Sequence, residues 1–93
     1  MEYYEVIKTI DDIKDINVKY KTESSRRWFE ICKDNLNEYT IYGLITGDVP
    51  EHVFKGQYVI TWKTFSGVKK AIKRFSKKGI WGFGSIFPNE LEN

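Results

Sequence analysis

The chain has 93 residues, 41% of them hydrophobic and 30% charged, which excludes a second folded domain and argues against a disordered chain. The formal net charge of +2 hides an asymmetry: residues 1–52 carry seven Lys and Arg against eleven Asp and Glu, whereas residues 53–93 carry eight against two. All eight of those basic residues lie within residues 55–78, which contain no acidic residue. Such a bias indicates a surface that meets an anionic partner.

The N-terminal residues predict a short strand followed by a short helix. Residues 3–8 have the composition of a strand. Thr9 has the position of an N-cap, with Asp12 three residues later completing a capping-box pattern. Ile10, Ile13 and Ile16 would share one face of the helix, which would end at Asn17.

A period-two pattern then runs over residues 18–46 and predicts a β-hairpin. Phe29 and Ile31 alternate with Trp28 and Glu30, and the alternation recurs over residues 39–45. Residues 34–37, Asp-Asn-Leu-Asn, have the Asx content of the connecting turn. Residues 47–56 predict a loop, and residues 57–63 predict a further strand.

Residues 66–78 predict an amphipathic helix with Ser66 as N-cap and Gly79 in the left-handed position that ends it. Its buried face would consist of Val68, Ala71, Ile72 and Phe75. Its outer face would carry Lys69, Lys70, Lys73, Arg74, Lys77 and Lys78. Residues 80–87 predict a glycine-interrupted aromatic strand or extended segment.

The order β-α-β-β-β-α-β lacks the regular alternation of a doubly wound parallel sheet. It predicts a single α+β domain over residues 1–93, with residues 88–93 as a flexible tail. Its antiparallel sheet would have four to five strands, with helix 66–78 packed on one face and a short N-terminal helix.

The basic helix is the first candidate for a binding site, because several Lys and Arg side chains on one face suit phosphate groups. Trp81 and Phe83, on one side of an extended segment, would stack on unpaired bases. Residues 78–83 resemble the ribonucleoprotein signature in which basic-Gly precedes aromatic-Gly-aromatic. The likeness has one residue inserted and identifies no family. The alternative is a solvated lysine face, with Trp81 and Phe83 in the core.

Arg26 and Arg27 form a second, smaller basic spot ahead of Trp28. The guanidinium group of arginine can form two parallel hydrogen bonds to a phosphate or a carboxylate, which makes the pair a further candidate for partner binding. The alternative, which the sequence favours, is that the two arginines form salt bridges with Glu23 and Glu30.

Catalytic and metal sites find little support in the sequence. His52 is the sole histidine and Cys32 the sole cysteine, so the usual three- or four-ligand transition-metal set is lacking and Cys32 has one imidazole as a possible base. Asp12-Ile13-Lys14 contains the acid-x-Lys element of metal-dependent nucleases, but in a capping context. We therefore expect no enzymatic activity, no metal and no cofactor.

Two hypotheses for function follow. The first is a small accessory protein that binds nucleic acid through the basic helix. The second is a protein-binding inhibitor or adaptor, such as an anti-CRISPR-like factor that blocks a nucleic-acid-processing complex of host defence. Residues with AT-rich codons outnumber those with GC-rich codons, which is typical of viruses and mobile elements of AT-rich hosts. With no signal peptide and no membrane-length apolar run, we expect a cytoplasmic protein without a membrane partner.

Overall fold

The computed structural model describes residues 3–23, 25–44, 51–52, 54–55 and 58–87. The strands are β1 (Glu5–Ile7), β2 (Tyr20–Thr22), β3 (Trp28–Lys33), β4 (Tyr39–Leu44), β5 (Glu51–His52), β6 (Phe54–Lys55) and β7 (Tyr58–Val59). The helices are α1 (Phe65–Lys78) and α2 (Phe83–Ile86), and single 3₁₀ turns span Ile10–Asp12 and Ile80–Gly82. The predicted α+β class is confirmed, whereas the predicted tail at 88–93 lies outside the described residues.

The main sheet has the strand order β1-β2-β3-β4, and the two-residue β5 extends it beyond β4. Neighbouring strands are antiparallel except for β1 and β2, which are parallel, with Val6 opposite Lys21. The prediction of a purely antiparallel sheet is therefore not confirmed. Residues 8–19 make the crossover between these two strands, and a connection of about a dozen residues is the length that parallel pairing requires. Strands β6 and β7 form a separate two-stranded sheet.

The predicted N-terminal helix is not confirmed, because only one 3₁₀ turn forms at Ile10–Asp12. Ile13 is already extended, with φ −78° and ψ 115°. The predicted role of Asp12 nevertheless holds in part, since its Oδ2 accepts the backbone N–H groups of Lys8 at 2.9 Å and Thr9 at 3.0 Å. Ile10 and Ile13 are buried, so their spacing marks the core although it does not mark a helix.

The predicted hairpin between β3 and β4 is confirmed. The Asp34 Oδ1 atom accepts the backbone N–H groups of Leu36 and Glu38, both at 2.9 Å. Asn37 takes the left-handed conformation, with φ 63°, which asparagine tolerates better than most residues. These local hydrogen bonds are those expected of an Asx-rich turn.

Helix α1 begins one residue earlier than predicted, and its N-cap is Thr64 instead of Ser66. The Thr64 hydroxyl accepts the backbone N–H of Gly67 at 2.9 Å. At the other end Gly79 is left-handed, with φ 66°, as the sequence predicts. The predicted inner face is confirmed, and its buried residues are Val68, Ala71, Ile72 and Phe75.

The prediction of an extended segment over residues 80–87 is wrong. After the left-handed Gly79 the chain makes a 3₁₀ turn in which Trp81 (φ 51°) and Gly82 (φ 81°) are also left-handed, and α2 follows at once. The reason is burial: Phe83, Ile86 and Phe87 have the i, i+3, i+4 spacing of a helical face and are all buried.

The hydrophobic core lies between one face of the main sheet and the two helices. Phe29 packs edge-on against Phe83 and Phe87, with ring centroids 5.6 and 5.9 Å apart. The Thr22 hydroxyl donates to the carbonyl of Ile86 at 2.7 Å, which ties β2 to α2. The inner face of α1 belongs to the same core, so its opposite side is left to solvent.

Candidate nucleic-acid interface

Helix α1 brings together the six basic residues that the sequence assigned to one face. Five of the six side chains are exposed, and Lys69 is half-buried. We call this set the basic face: Lys69, Lys70, Lys73, Arg74, Lys77 and Lys78. Because α1 contains no acidic residue, no intrahelical ion pair neutralises these charges.

Two cations of the basic face lie close to aromatic rings at the edge of the core. The Lys69 Nζ lies 5.8 Å from the centre of the Phe65 ring, and the Arg74 guanidinium carbon lies 5.6 Å from the centre of the Phe75 ring. Such cation–π contacts restrict where the charged group can go while leaving its hydrogen-bond donors available. An aromatic ring therefore lies beside one cation on each side of the helix.

An open groove of about 380 Å³ lies between the N-terminal half of α1 and the first 3₁₀ turn. It is lined by Ile10, Asp11, Phe65, Ser66, Lys69, Lys70 and Lys73. Asp11 is exposed and is the acidic residue of this lining. Its negative charge lowers the local positive potential on this side of the basic face, as a carboxylate near lysines must.

Trp81 and Phe83 do not form the predicted pair of surface aromatics. Phe83 is fully buried, so no base can stack on its ring. Trp81 is half-buried and packs edge-on against Phe75, with ring centroids 4.8 Å apart. The resemblance of residues 78–83 to the ribonucleoprotein signature does not extend to structure, because these residues form a helix end and a 3₁₀ turn instead of a strand.

Arg26 and Arg27 lie ahead of β3, on a different element from the basic face. Arg26 is exposed, while Arg27 is half-buried and its backbone N–H donates to the Ser25 hydroxyl at 3.0 Å. The second basic spot that the sequence predicts therefore lies on the segment before β3 and is not part of α1.

Cys32 and His52, the candidate nucleophile and its candidate base, lie on different strands of the main sheet. Burial, assisted by the negative charge of Glu30, raises the pKa of the Cys32 thiol to about 11, so the nucleophilic thiolate is scarce near neutral pH. His52 belongs to β5, where its register partner is Tyr42. In the part of the chain that the structure describes, no three His, Cys, Asp or Glu residues lie together as metal ligands. The absence of enzymatic activity remains a prediction.

Sequence reasoning missed the residues that complete the groove. Ile10 and Asp11 lie more than fifty positions before α1, so no local pattern links them to Lys69 or Lys73. Thr64 has a detectable signal, since threonine is a preferred N-cap residue type and this one lies just before the predicted helical segment. Ser66, two residues further on, is also of a preferred N-cap residue type.

No protein-family model, curated protein or solved structure matches this chain. Among the described residues, none of the helices is both long enough and apolar enough to cross a membrane. Fold and surface chemistry therefore define the class of protein: a small α+β chain with one strongly basic helix face.

Proposed function

We propose that this chain is a small accessory protein that binds nucleic acid through the basic face of α1. The observation that carries the proposal is the concentration of six cationic side chains, five of them exposed, on one side of a single 14-residue helix. Phosphate backbones are the polyanions that such a face fits best, because each contact releases condensed counterions and adds a favourable entropy.

The chemistry of the face favours contacts to the backbone over reading of base sequence. Lysine and arginine neutralise phosphates irrespective of the adjacent base, and α1 has no Asn or Gln for adenine and no Asp or Glu for cytosine. Base readout by this helix would then come mainly from guanine contacts of the same Lys and Arg side chains. Binding should therefore depend strongly on salt and weakly on sequence.

Titration of a fluorescently labelled oligonucleotide with the purified chain tests the proposal. Wild-type binding should weaken as salt rises, with log K falling by about 0.9 per phosphate contact and per unit of log salt on duplex, or about 0.7 on a single strand. Lys73→Glu with Arg74→Glu should weaken binding to all sequences alike and remove much of that slope. Lys8→Glu with Lys14→Glu is a control with the same charge change at exposed lysines outside α1. This control should keep most of the wild-type salt slope.

The proposal fails if the wild type binds neither duplex nor single strand below about 100 μM at 50 mM salt, since ordinary non-specific binders fall within that range at higher salt. It also fails if the two charge-reversal pairs weaken binding equally, because the effect would then follow from net charge alone.

A protein-binding inhibitor or adaptor is the second candidate, and the outer edge of β1 favours it. Tyr3 is 80% exposed and Val6 is 57% exposed at this edge of the sheet. A groove of about 420 Å³ runs alongside, lined by Glu5, Val6, Ile7, Lys8, Asp12 and Lys14. An exposed strand edge with apolar side chains is a surface to which the strand of another protein can add.

Affinity capture from a host extract, with and without nuclease treatment, separates the two candidates. A partner that nuclease removes favours nucleic acid. A single stoichiometric partner that resists nuclease, and is lost with Val6→Asp but kept with Lys73→Glu, favours the inhibitor.

A further inference from the structure

We infer that the nucleic acid fitted by the basic face is a duplex, with α1 lying over a groove and its two flanks contacting phosphates of opposite strands. This inference rests on the proposed function and adds the class of nucleic acid and the mode of contact. It follows from how the six cations are distributed around the helix axis and from where the aromatic residues lie.

The cations of the basic face fan out over about half of the circumference of α1, and we call the pairs at the two ends of this fan its flanks. At 3.6 residues per turn, the Lys69 and Lys73 positions lie roughly 140° around the axis from the Arg74 and Lys78 positions. Lys70 and Lys77 project between the two flanks. A single row of phosphates needs cations along one line of the helix, whereas two rows need cations on both sides.

The dimensions of a helix agree with a groove of double-stranded DNA. An α-helix with its side chains is about 10–12 Å across, and the major groove is about 12 Å wide. Within each flank the paired positions are one turn apart, roughly 6 Å along the axis. The opposite flanks would therefore face the backbones on the two sides of the groove.

Each flank also carries one cation that lies beside an aromatic ring. Lys69 lies near the Phe65 ring on one flank, and Arg74 near the Phe75 ring on the other. Such contacts attract the two charged groups toward the flanks before a partner is bound.

The aromatic residues near the basic face argue against a single strand. Proteins that bind single strands without sequence preference stack successive bases on exposed rings. Of the two aromatics that follow α1, Phe83 is buried, and Trp81 is half-buried with its ring packed on Phe75. The Phe65 ring is also half-buried and lines the groove beside Lys69, and such partial platforms fall short of the row of exposed rings on which successive bases stack.

The test compares two neutralised variants on two substrates of the same sequence and length, a 20-base-pair duplex and its single strand. One variant is Lys69→Gln with Lys73→Gln, and the other is Arg74→Gln with Lys78→Gln. Lys8→Gln with Lys14→Gln is the matched control, since it removes two exposed lysines outside α1. Circular dichroism at 222 nm verifies that every variant keeps its helix content.

We expect the wild type to bind duplex at least ten-fold more tightly than single strand at equal salt. On duplex each flank variant should reduce the magnitude of the salt slope by about 1.8, which is two contacts at 0.9 each, and the combined variant by the sum. The control should change the slope by less than about 0.5.

The duplex inference is overturned if the single strand binds as tightly as the duplex, or if one flank variant leaves the duplex slope unchanged. In either case the chain still binds nucleic acid through α1, and the proposed function stands. If neither substrate binds, the proposed function itself fails and the inference fails with it. The two failures are therefore distinguishable in one set of titrations.

Discussion

Gly43 lies opposite Phe29 in the β3–β4 ladder, at a point where the two strands leave no room for a side chain. A Cβ atom on Gly43 would lie 2.5 Å from the carbonyl oxygen of Trp28 and 2.6 Å from the Cα of Phe29. Both neighbours are backbone atoms, so no change of rotamer could relieve the clash. Gly43 therefore allows β4 to lie close to β3 at Phe29, and the ring of Phe29 packs on both Phe83 and Phe87.

We therefore predict that Gly43→Ala lowers the free energy of unfolding by about 1–3 kcal/mol, the usual cost of overpacking a well-packed site. Urea unfolding followed by circular dichroism measures it. Ser85→Ala is a suitable control, because Ser85 is exposed on α2. A Gly43→Ala protein as stable as wild type would show that β4 can move away from β3 without cost.

Gly79 is required for a different reason. Nothing lies within 4 Å of the position where its Cβ would be, but its φ of 66° is left-handed, a conformation that costs most L-residues roughly 1–2 kcal/mol. Gly79→Ala should therefore lower stability by about 1 kcal/mol, and Gly79→Asn by less, because asparagine tolerates this region. Equal losses for the two substitutions, again in urea, would contradict the conformational explanation.

The accuracy of the sequence predictions follows the range of the interactions involved. Helix α1 and the hairpin turn at Asp34 depend on neighbours a few positions away, and the sequence predicts both closely. The parallel pairing of β1 with β2 depends on the path of a twelve-residue crossover. No periodicity within either strand encodes that path.

The segment after Gly79 shows how one local signal can hide another. Gly82 and Gly84, among aromatic residues, favoured an extended segment, yet Phe83, Ile86 and Phe87 also have helical spacing. Burial decides between the two, because the short helix places all three side chains in the core at once. The six cations of the basic face were predictable from the period of α1, whereas the proximity of Asp11 to them was not.

The thiol of Cys32 gives the molecule a measurable dependence on alkaline pH. Burial, with a smaller contribution from Glu30, raises the pKa of this thiol from 9.0 to about 11. Between those values the unfolded chain loses the proton while the folded chain keeps it, so the contribution of Cys32 to stability falls as pH rises from about 9 to about 11. Below pH 9 both states are protonated, and that contribution is fully present.

Two measurements check this prediction. The rate of reaction of the folded protein with a disulfide reagent should rise with a midpoint near pH 11, because the thiolate is the reactive form. The loss of stability between pH 9 and pH 11 should be smaller in Cys32→Ala than in wild type, and the difference between the two proteins isolates the contribution of Cys32. A midpoint near 9 would show that the thiol is solvated in the folded state.

If α1 binds nucleic acid as proposed, the charge of Asp11 should weaken that binding, because Asp11 shares its groove with Lys69, Lys70 and Lys73. Replacing its carboxylate by a neutral amide removes a repulsion of about 1 kcal/mol or less toward a phosphate in that groove. We therefore predict that Asp11→Asn tightens binding by about two- to five-fold at 50 mM salt, and by less at higher salt, where the repulsion is screened.

Asp15→Asn is the matched control. Asp15 is exposed and does not line the groove, but its substitution changes the net charge equally. Titration of one duplex with both variants measures the difference. Equal gains would mean that overall charge, and not the groove beside α1, determines affinity, and a loss of affinity on Asp11→Asn would remove that groove from the interface.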